Sequence, residues 1–182
     1  MSLYAATKKT DELMSESYSH LYRIAQTGLR FFTVYGPWGR PDMAVWLFTE
    51  AIFAGQPIKV FNHGDMSRDF TYIDDIVAGV VAALDLPPAD DGAVKDGGSV
   101  APHRIWNIGN HRRERLLDLI GEIERACGMQ AQLDMQPMQQ GDVPATYADI
   151  SAIADATGFA PDTAISDGIP RFVAWYRDYY EV

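Results

Sequence analysis

The feature that most constrains this chain is the alternation of strand-like runs with segments of helical period. Leu29 to Tyr35 reads Leu-Arg-Phe-Phe-Thr-Val-Tyr, rich in aromatic and β-branched residues and therefore a predicted strand. Before it, Tyr4 to about Gln26 predicts a helix. Met14, Tyr18, Leu21 and Ala25 form its apolar face, Glu12, Glu16, Ser19 and Arg23 lie opposite, and Gly28 stands where a C-terminal cap is expected. After the strand, Gly36-Pro37-Trp38-Gly39-Arg40-Pro41 must be a loop, because its glycines and prolines break either regular structure. A helix over Met43–Ala54 follows, then strands near Ile58–Phe61 and Asp69–Ile73. Asp74 and Asp75 open another helix, whose buried face is expected to be Ile76, Val77, Val80, Val81 and Leu84. Residues 87–103 are rich in Pro, Gly and Asp and predict a long mobile loop. A strand at Arg104–Ile108, a helix at Glu114–Cys127 and two further helices complete an α/β pattern, read as one portion over residues 1–182.

A chain with 47% apolar and 22% charged residues is neither disordered nor fibrous. No apolar run approaches the ~20 residues of a membrane span, and no signal-peptide pattern appears at the N-terminus. The single cysteine, Cys127, excludes an internal disulfide and agrees with a cytoplasmic location. With 15 Lys+Arg against 25 Asp+Glu, the net charge is -10, a field that repels nucleic acid and anionic lipid. An anionic ligand must then be held by a few local arginines.

Tyr4 and Lys8 stand four residues apart on a predicted helix and so share a face. A phenol is protonated at neutral pH, whereas an ammonium group beside it favours the phenolate, the form that can take a proton. With 9 tyrosines and 4 lysines, such a spacing is expected by chance roughly 0.2 times, so by itself the pair is weak evidence. No glycine-rich strand-to-helix turn that would cradle a dinucleotide pyrophosphate is present. His63 and His111 lack metal-ligand spacing.

Several segments, in this order, closely resemble the extended short-chain dehydrogenase/reductase family. They are Ser2-Leu3-Tyr4-Ala5-Ala6-Thr7-Lys8-Lys9, the run from Thr27 through Gly36-Pro37-Trp38-Gly39-Arg40-Pro41-Asp42-Met43, the run Phe61-Asn62-His63-Gly64-Asp65-Met66-Ser67-Arg68-Asp69-Phe70, and Gly141-Asp142-Val143-Pro144-Ala145-Thr146-Tyr147. Within that family the likeness is to nucleotide-sugar epimerases of the UDP-glucuronate 4-epimerase type. The resemblance implies NAD as cofactor and a UDP-sugar as substrate. It implies Tyr4 as catalytic base and Lys8 as its partner on the nicotinamide ribose, with Phe31 and Val34 lining the nicotinamide end. Thr33 would contact the sugar, Arg40 and Arg68 would clamp the diphosphate or a uronate carboxylate, Phe61 would lie against uracil, and Gln139 and Asp142 would sit near phosphate or ribose. Taken without the family, Arg40 reads equally as solvated and Arg68 as a surface ion pair with Asp69. Phe31 and Phe61 then read as strand residues packed in a core, Thr33 as a strand former and Asp142 as a turn residue.

In the implied mechanism the base takes the C4 hydroxyl proton as hydride leaves C4; the 4-keto sugar turns, and hydride returns to the other face. The family's fold begins with a cofactor-binding half that this sequence does not contain. The chain is therefore expected to be a C-terminal half carrying the last parallel strands and the substrate-binding portion, inactive by itself. An exposed sheet edge and helix face would invite self-association as a homodimer. A 4,6-dehydratase or decarboxylase of the same superfamily, and a non-catalytic nucleotide-sugar-binding module, are the competing readings.

Overall fold

The strand predicted at 29–35 changes partner midway, and this change organises the molecule. A computed structural model describes residues 3–139 and 141–182. Helix α1 (Leu3–Tyr22) leads into β1 (Gln26–Phe31), which pairs in parallel with β6 (His103–Ile108). At Phe32 the backbone N–H still donates to the Ile108 carbonyl (3.2 Å), but the Thr33 N–H donates to the Asp69 carbonyl (3.1 Å). From there β2 (Thr33–Tyr35) runs parallel to β5 (Phe70–Tyr72). One extended segment thus stitches two sheets together, and Gly28, expected as a helix cap, lies within β1. Arg23 itself takes the left-handed conformation just after α1, with φ 54°.

Helix α2 (Ala44–Phe53) precedes β3 (Pro57–Val60), which pairs in parallel with β8 (Gln132–Met135). The expected strand end at Phe61 is instead the start of a 3-10 turn (Phe61–Gly64), because Asn62 and His63 have positive φ. The short β4 (Ser67–Arg68) pairs antiparallel with β7 (Glu114–Arg115), and so takes the two residues expected to begin the following helix. Helices α3 (Ile73–Asp85), α4 (Leu116–Cys127), α5 (Ser151–Thr157) and α6 (Ile165–Tyr180) complete the fold. One apolar cluster joins β2, β3, β5, α2, α4 and α6; a second joins β6, α3 and α5. Among the described residues, no helix is long and apolar enough to cross a membrane.

Two helix faces are oriented otherwise than their apolar periodicity predicts. On α1 the polar side packs inward: Ser19 is buried, Ser15 donates to Gln26 Oε1 (2.8 Å), and Glu12 pairs with Arg30 (2.5 Å). The hydrogen bond from Arg30 holds the Glu12 carboxyl down to about 2. Met14, Tyr18 and Leu21 remain exposed. On α3 the buried residues are Ile76, Gly79 and Ala83, and Val80 packs partly buried against the second cluster as expected, whereas Val77, Val81 and Leu84 are exposed. The smallness of Gly79 is the reason. A Cβ there would lie 2.7 Å from Ile108 Cδ1 and 2.8 Å from Phe159 Cε2, so the helix packs closest through the residue with no side chain.

The segment after α3 is irregular but tied to its surroundings. Asp90 pairs with Arg23, the Asp96 carboxylate accepts the Trp106 indole N–H (2.6 Å), and the Asp96 carbonyl accepts the Ile105 N–H (2.9 Å).

Tyr35 carries a further cost inside the first cluster. Its ring packs against Phe70 and Tyr72, and its buried hydroxyl has no hydrogen-bond partner among the described residues. Burial pushes this phenol well above its ordinary range. Tyr35→Phe keeps the ring contacts and removes an uncompensated polar atom, so it should raise the unfolding free energy by about 1 kcal/mol. Urea denaturation measures it; a loss of stability would show that the hydroxyl is bonded in solution.

Candidate functional site

The first residue of β2, the residues leading into α2, and β3 to β5 converge on a cleft. Its centre is a cavity of about 210 Å³ lined by Thr33, Met43, Lys59, Phe61, Arg68 and Asp142. A larger depression of about 800 Å³ adjoins it, sharing Lys59, Phe61 and Asp142 and adding Gln139, Asp42 and Glu50. Four residues that the sequence singles out for a substrate (Thr33, Phe61, Arg68 and Asp142) therefore line the cavity, and a fifth, Gln139, lines the adjoining depression.

Local structure explains how each arrives there. Thr33 follows the change of strand partner at Phe32 and its backbone N–H donates to the carbonyl of Asp69 (3.1 Å), the residue after Arg68 of β4. Arg68 pairs not with its neighbour Asp69 but with Asp142, 74 residues on, at 2.8 Å, and its side chain is largely covered. Asp69 is fully buried. Its carboxylate accepts the backbone N–H of Asn110 (2.7 Å) and of Ala148 (3.0 Å), and the Thr71 hydroxyl lies 3.3 Å away. This carboxylate binds the β6–β7 loop and the chain near Ala148 to the strand that carries Arg68. Phe61 is half-buried on the 3-10 turn rather than packed in a strand.

Arg40 does not line the cavity but a separate small crevice, which shares Thr33, Met43 and Ala44 with it. Its guanidinium meets Asp42 through two bonds, Nη2–Oδ2 2.6 Å and Nε–Oδ1 3.1 Å, and both side chains are exposed. That pairing raises the Arg40 pKa.

Tyr4 and Lys8 occupy the first turns of α1 and line neither cavity. The Lys8 ammonium is 5.9 Å from the Tyr4 ring centroid and 2.9 Å from Asp11, whose hydrogen bond and charge raise the lysine pKa. Tyr4 is 69% exposed, so its hydroxyl is not enclosed by packed side chains. Phe31, read as a core strand residue when the family is set aside, is 52% exposed at the end of β1. Val34 instead packs against the second apolar cluster.

Lys59 escaped the sequence reading although it lines both cavities. The signal was present in Pro57-Ile58-Lys59-Val60: Ile58 and Val60 are buried on one face of β3, so alternation sends Lys59 to the open side.

Comparison with known proteins places this geometry in context. The curated relatives include Protein CapI of Staphylococcus aureus, 50% identical, covering 100% of this chain and 56% of that protein. A probable UDP-glucuronate 4-epimerase of Rhizobium meliloti is 46% identical, covering 99% of this chain and 54% of that protein. Among solved structures, the UDP-glucuronic acid 4-epimerase of Bacillus cereus, in complex with UDP-glucuronic acid and NAD, superposes with a TM-score of 0.84 at 31% identity. That match covers 97% of this chain and 53% of the other. The chain spans about half the length of the curated relatives it matches. The profile of the NAD dependent epimerase/dehydratase family matches residues 1–109, more than half of the sequence, and the chain belongs to that family.

Proposed function

We propose that this chain supplies the substrate-binding and proton-transfer part of a nucleotide-sugar 4-epimerase acting on UDP-glucuronate. The observation that carries the reading is the meeting of Arg68, Phe61, Thr33 and Asp142 in one cavity beside the Arg40 loop. A guanidinium fork suits the two oxygens of a diphosphate or uronate, and an aromatic face suits a uracil ring. Held at its diphosphate, a sugar can turn within the cleft while its anchor stays put. Similarity to enzymes whose names specify UDP-glucuronate supports the choice of sugar.

Tyr4 is the residue proposed to take and return the C4 hydroxyl proton. Lys8 stands one helical turn on, its ammonium 5.9 Å from the Tyr4 ring centroid and bound to Asp11 at 2.9 Å, and is the proposed partner on the nicotinamide ribose. Tyr4, Lys8 and Phe31 are all exposed, as residues that meet the nicotinamide-ribose end of NAD must be. Bound NAD would supply the redox step, accepting and returning the hydride. The described residues offer no glycine-rich turn for its pyrophosphate, so this chain by itself should bind NAD weakly and epimerise little. Exposed Met14, Tyr18 and Leu21 on α1 give self-association a surface to cover, and a homodimer is part of the proposal.

Calorimetric titration tests the reading. UDP and UDP-glucuronate should bind the 182-residue chain more tightly than uridine, and NAD should not bind at micromolar concentration. Equal affinity for uridine and UDP would overturn the assignment of a diphosphate site. Micromolar NAD binding would overturn the expected inactivity.

A further inference from the structure

We propose that Trp38 is a positioning residue that clamps the Arg40 loop onto helix α6. The loop between β2 and α2 closes on itself: the Gly39 N–H donates to the Gly36 carbonyl (3.1 Å), and the Met43 N–H to the Arg40 carbonyl (3.2 Å). Arg40 is also bound locally, to Asp42. None of these bonds fastens the outer part of the loop to the rest of the protein. The Trp38 ring does. Its centroid lies 5.3 Å from that of Trp175 and 5.1 Å from that of Tyr179, the latter edge-on, while Trp175 and Tyr179 stack on each other at 5.4 Å. Trp46 of α2 continues the row, 5.6 Å from Trp175.

The arrangement is costly for what it buries. Trp38 has φ 63°, a left-handed conformation that is a genuine outlier for a bulky side chain, and it remains 73% exposed. A tryptophan placed for core packing would be covered and unstrained. One held in a disfavoured backbone state against a neighbouring aromatic row fits a tether, the kind of local strain that gathers at binding loops. Two residues further on is Arg40, whose crevice shares Thr33, Met43 and Ala44 with the cavity containing Arg68. By limiting where the loop can travel, the tether sets the spacing of the two guanidinium groups before a ligand arrives and lowers the ordering cost of binding.

This inference rests on the nucleotide-sugar reading above, and the test separates the two. Trp38→Ala and Trp38→Phe are made in the full chain, with circular dichroism confirming unchanged secondary structure. Hydrogen exchange at the Gly39 and Met43 amides should quicken about tenfold in the alanine variant and stay near wild type with phenylalanine. UDP-glucuronate affinity should fall about tenfold in Trp38→Ala and recover in Trp38→Phe, with uridine affinity unchanged. Unchanged exchange in Trp38→Ala overturns the clamp. Faster exchange with unchanged UDP-glucuronate affinity overturns its positioning role. If the unaltered chain binds neither UDP-glucuronate nor UDP, the nucleotide-sugar reading falls, and the positioning role falls with it whatever the exchange rates show.

Discussion

Replacing Asp69 by asparagine should destabilise the fold by about 3 kcal/mol, the largest loss expected of any single polar substitution here. The carboxylate is fully buried, and each of its oxygens accepts a backbone N–H, from Asn110 on one side and Ala148 on the other. Asparagine fills the same volume but turns one acceptor into a donor. One of the two N–H groups must then face an NH2, losing a charge-assisted bond and leaving a buried donor unpaired. No rearrangement is cheap, because Gly109 presses against the same place, its would-be Cβ 2.5 Å from Ala148 Cβ and 3.0 Å from Asp69 Oδ1. Urea unfolding should show a lower midpoint, and the melting temperature should drop by roughly 10 °C. A change below about 0.5 kcal/mol would mean that these loops are held by other contacts.

Arg68→Met should weaken UDP binding about a hundredfold, equivalent to about 2.7 kcal/mol, while uridine binding changes little. Two effects act together. The guanidinium fork toward the diphosphate is lost, and Asp142, now without its partner at 2.8 Å, leaves an unopposed negative charge in the cavity. Asp142→Asn should act in the opposite direction and tighten UDP binding, since Arg68 would no longer be shared with a carboxylate. Arg68→Lys should fall between, keeping the charge without the planar fork. Calorimetry on the folded variants measures all three; unchanged UDP affinity in Arg68→Met would remove this arginine from the diphosphate site.

Helix α2 and strand β6 are legible in the sequence to within a residue, and the presence of two C-terminal helices is legible without their bounds, because the signals are local: periodicity, a glycine stop, a β-branched run. The outward turn of α1 is not. Its apolar residues satisfy a helical period, yet Ser15 and Glu12 meet the sheet through partners on β1, and Ser19 is buried beside them. Periodicity reports which residues share a face and is silent on which neighbour that face meets. The face of α3 shows the same limit, where Gly79 decides the approach and not the valines around it. For the candidate site, Arg68 is identifiable from the motif around it, but its partner is not. Adjacency suggests Asp69, whereas the extended backbone of β4 and β5 directs consecutive side chains to opposite sides, burying Asp69 and opening Arg68 toward Asp142.

The order of residues by itself determined the α/β class, the family resemblance, and the short list of side chains able to hold an anion against a net charge of -10. These depend on residue identity and on spacing along one element. Tertiary structure decided that Thr33, Phe61, Arg68, Gln139 and Asp142 share a cleft, that Lys59 joins them, and that Trp38 reaches α6. Those outcomes depend on where the strand changes partner at Phe32 and on how closely glycines let helices approach, and each couples residues tens of positions apart that no local pattern connects.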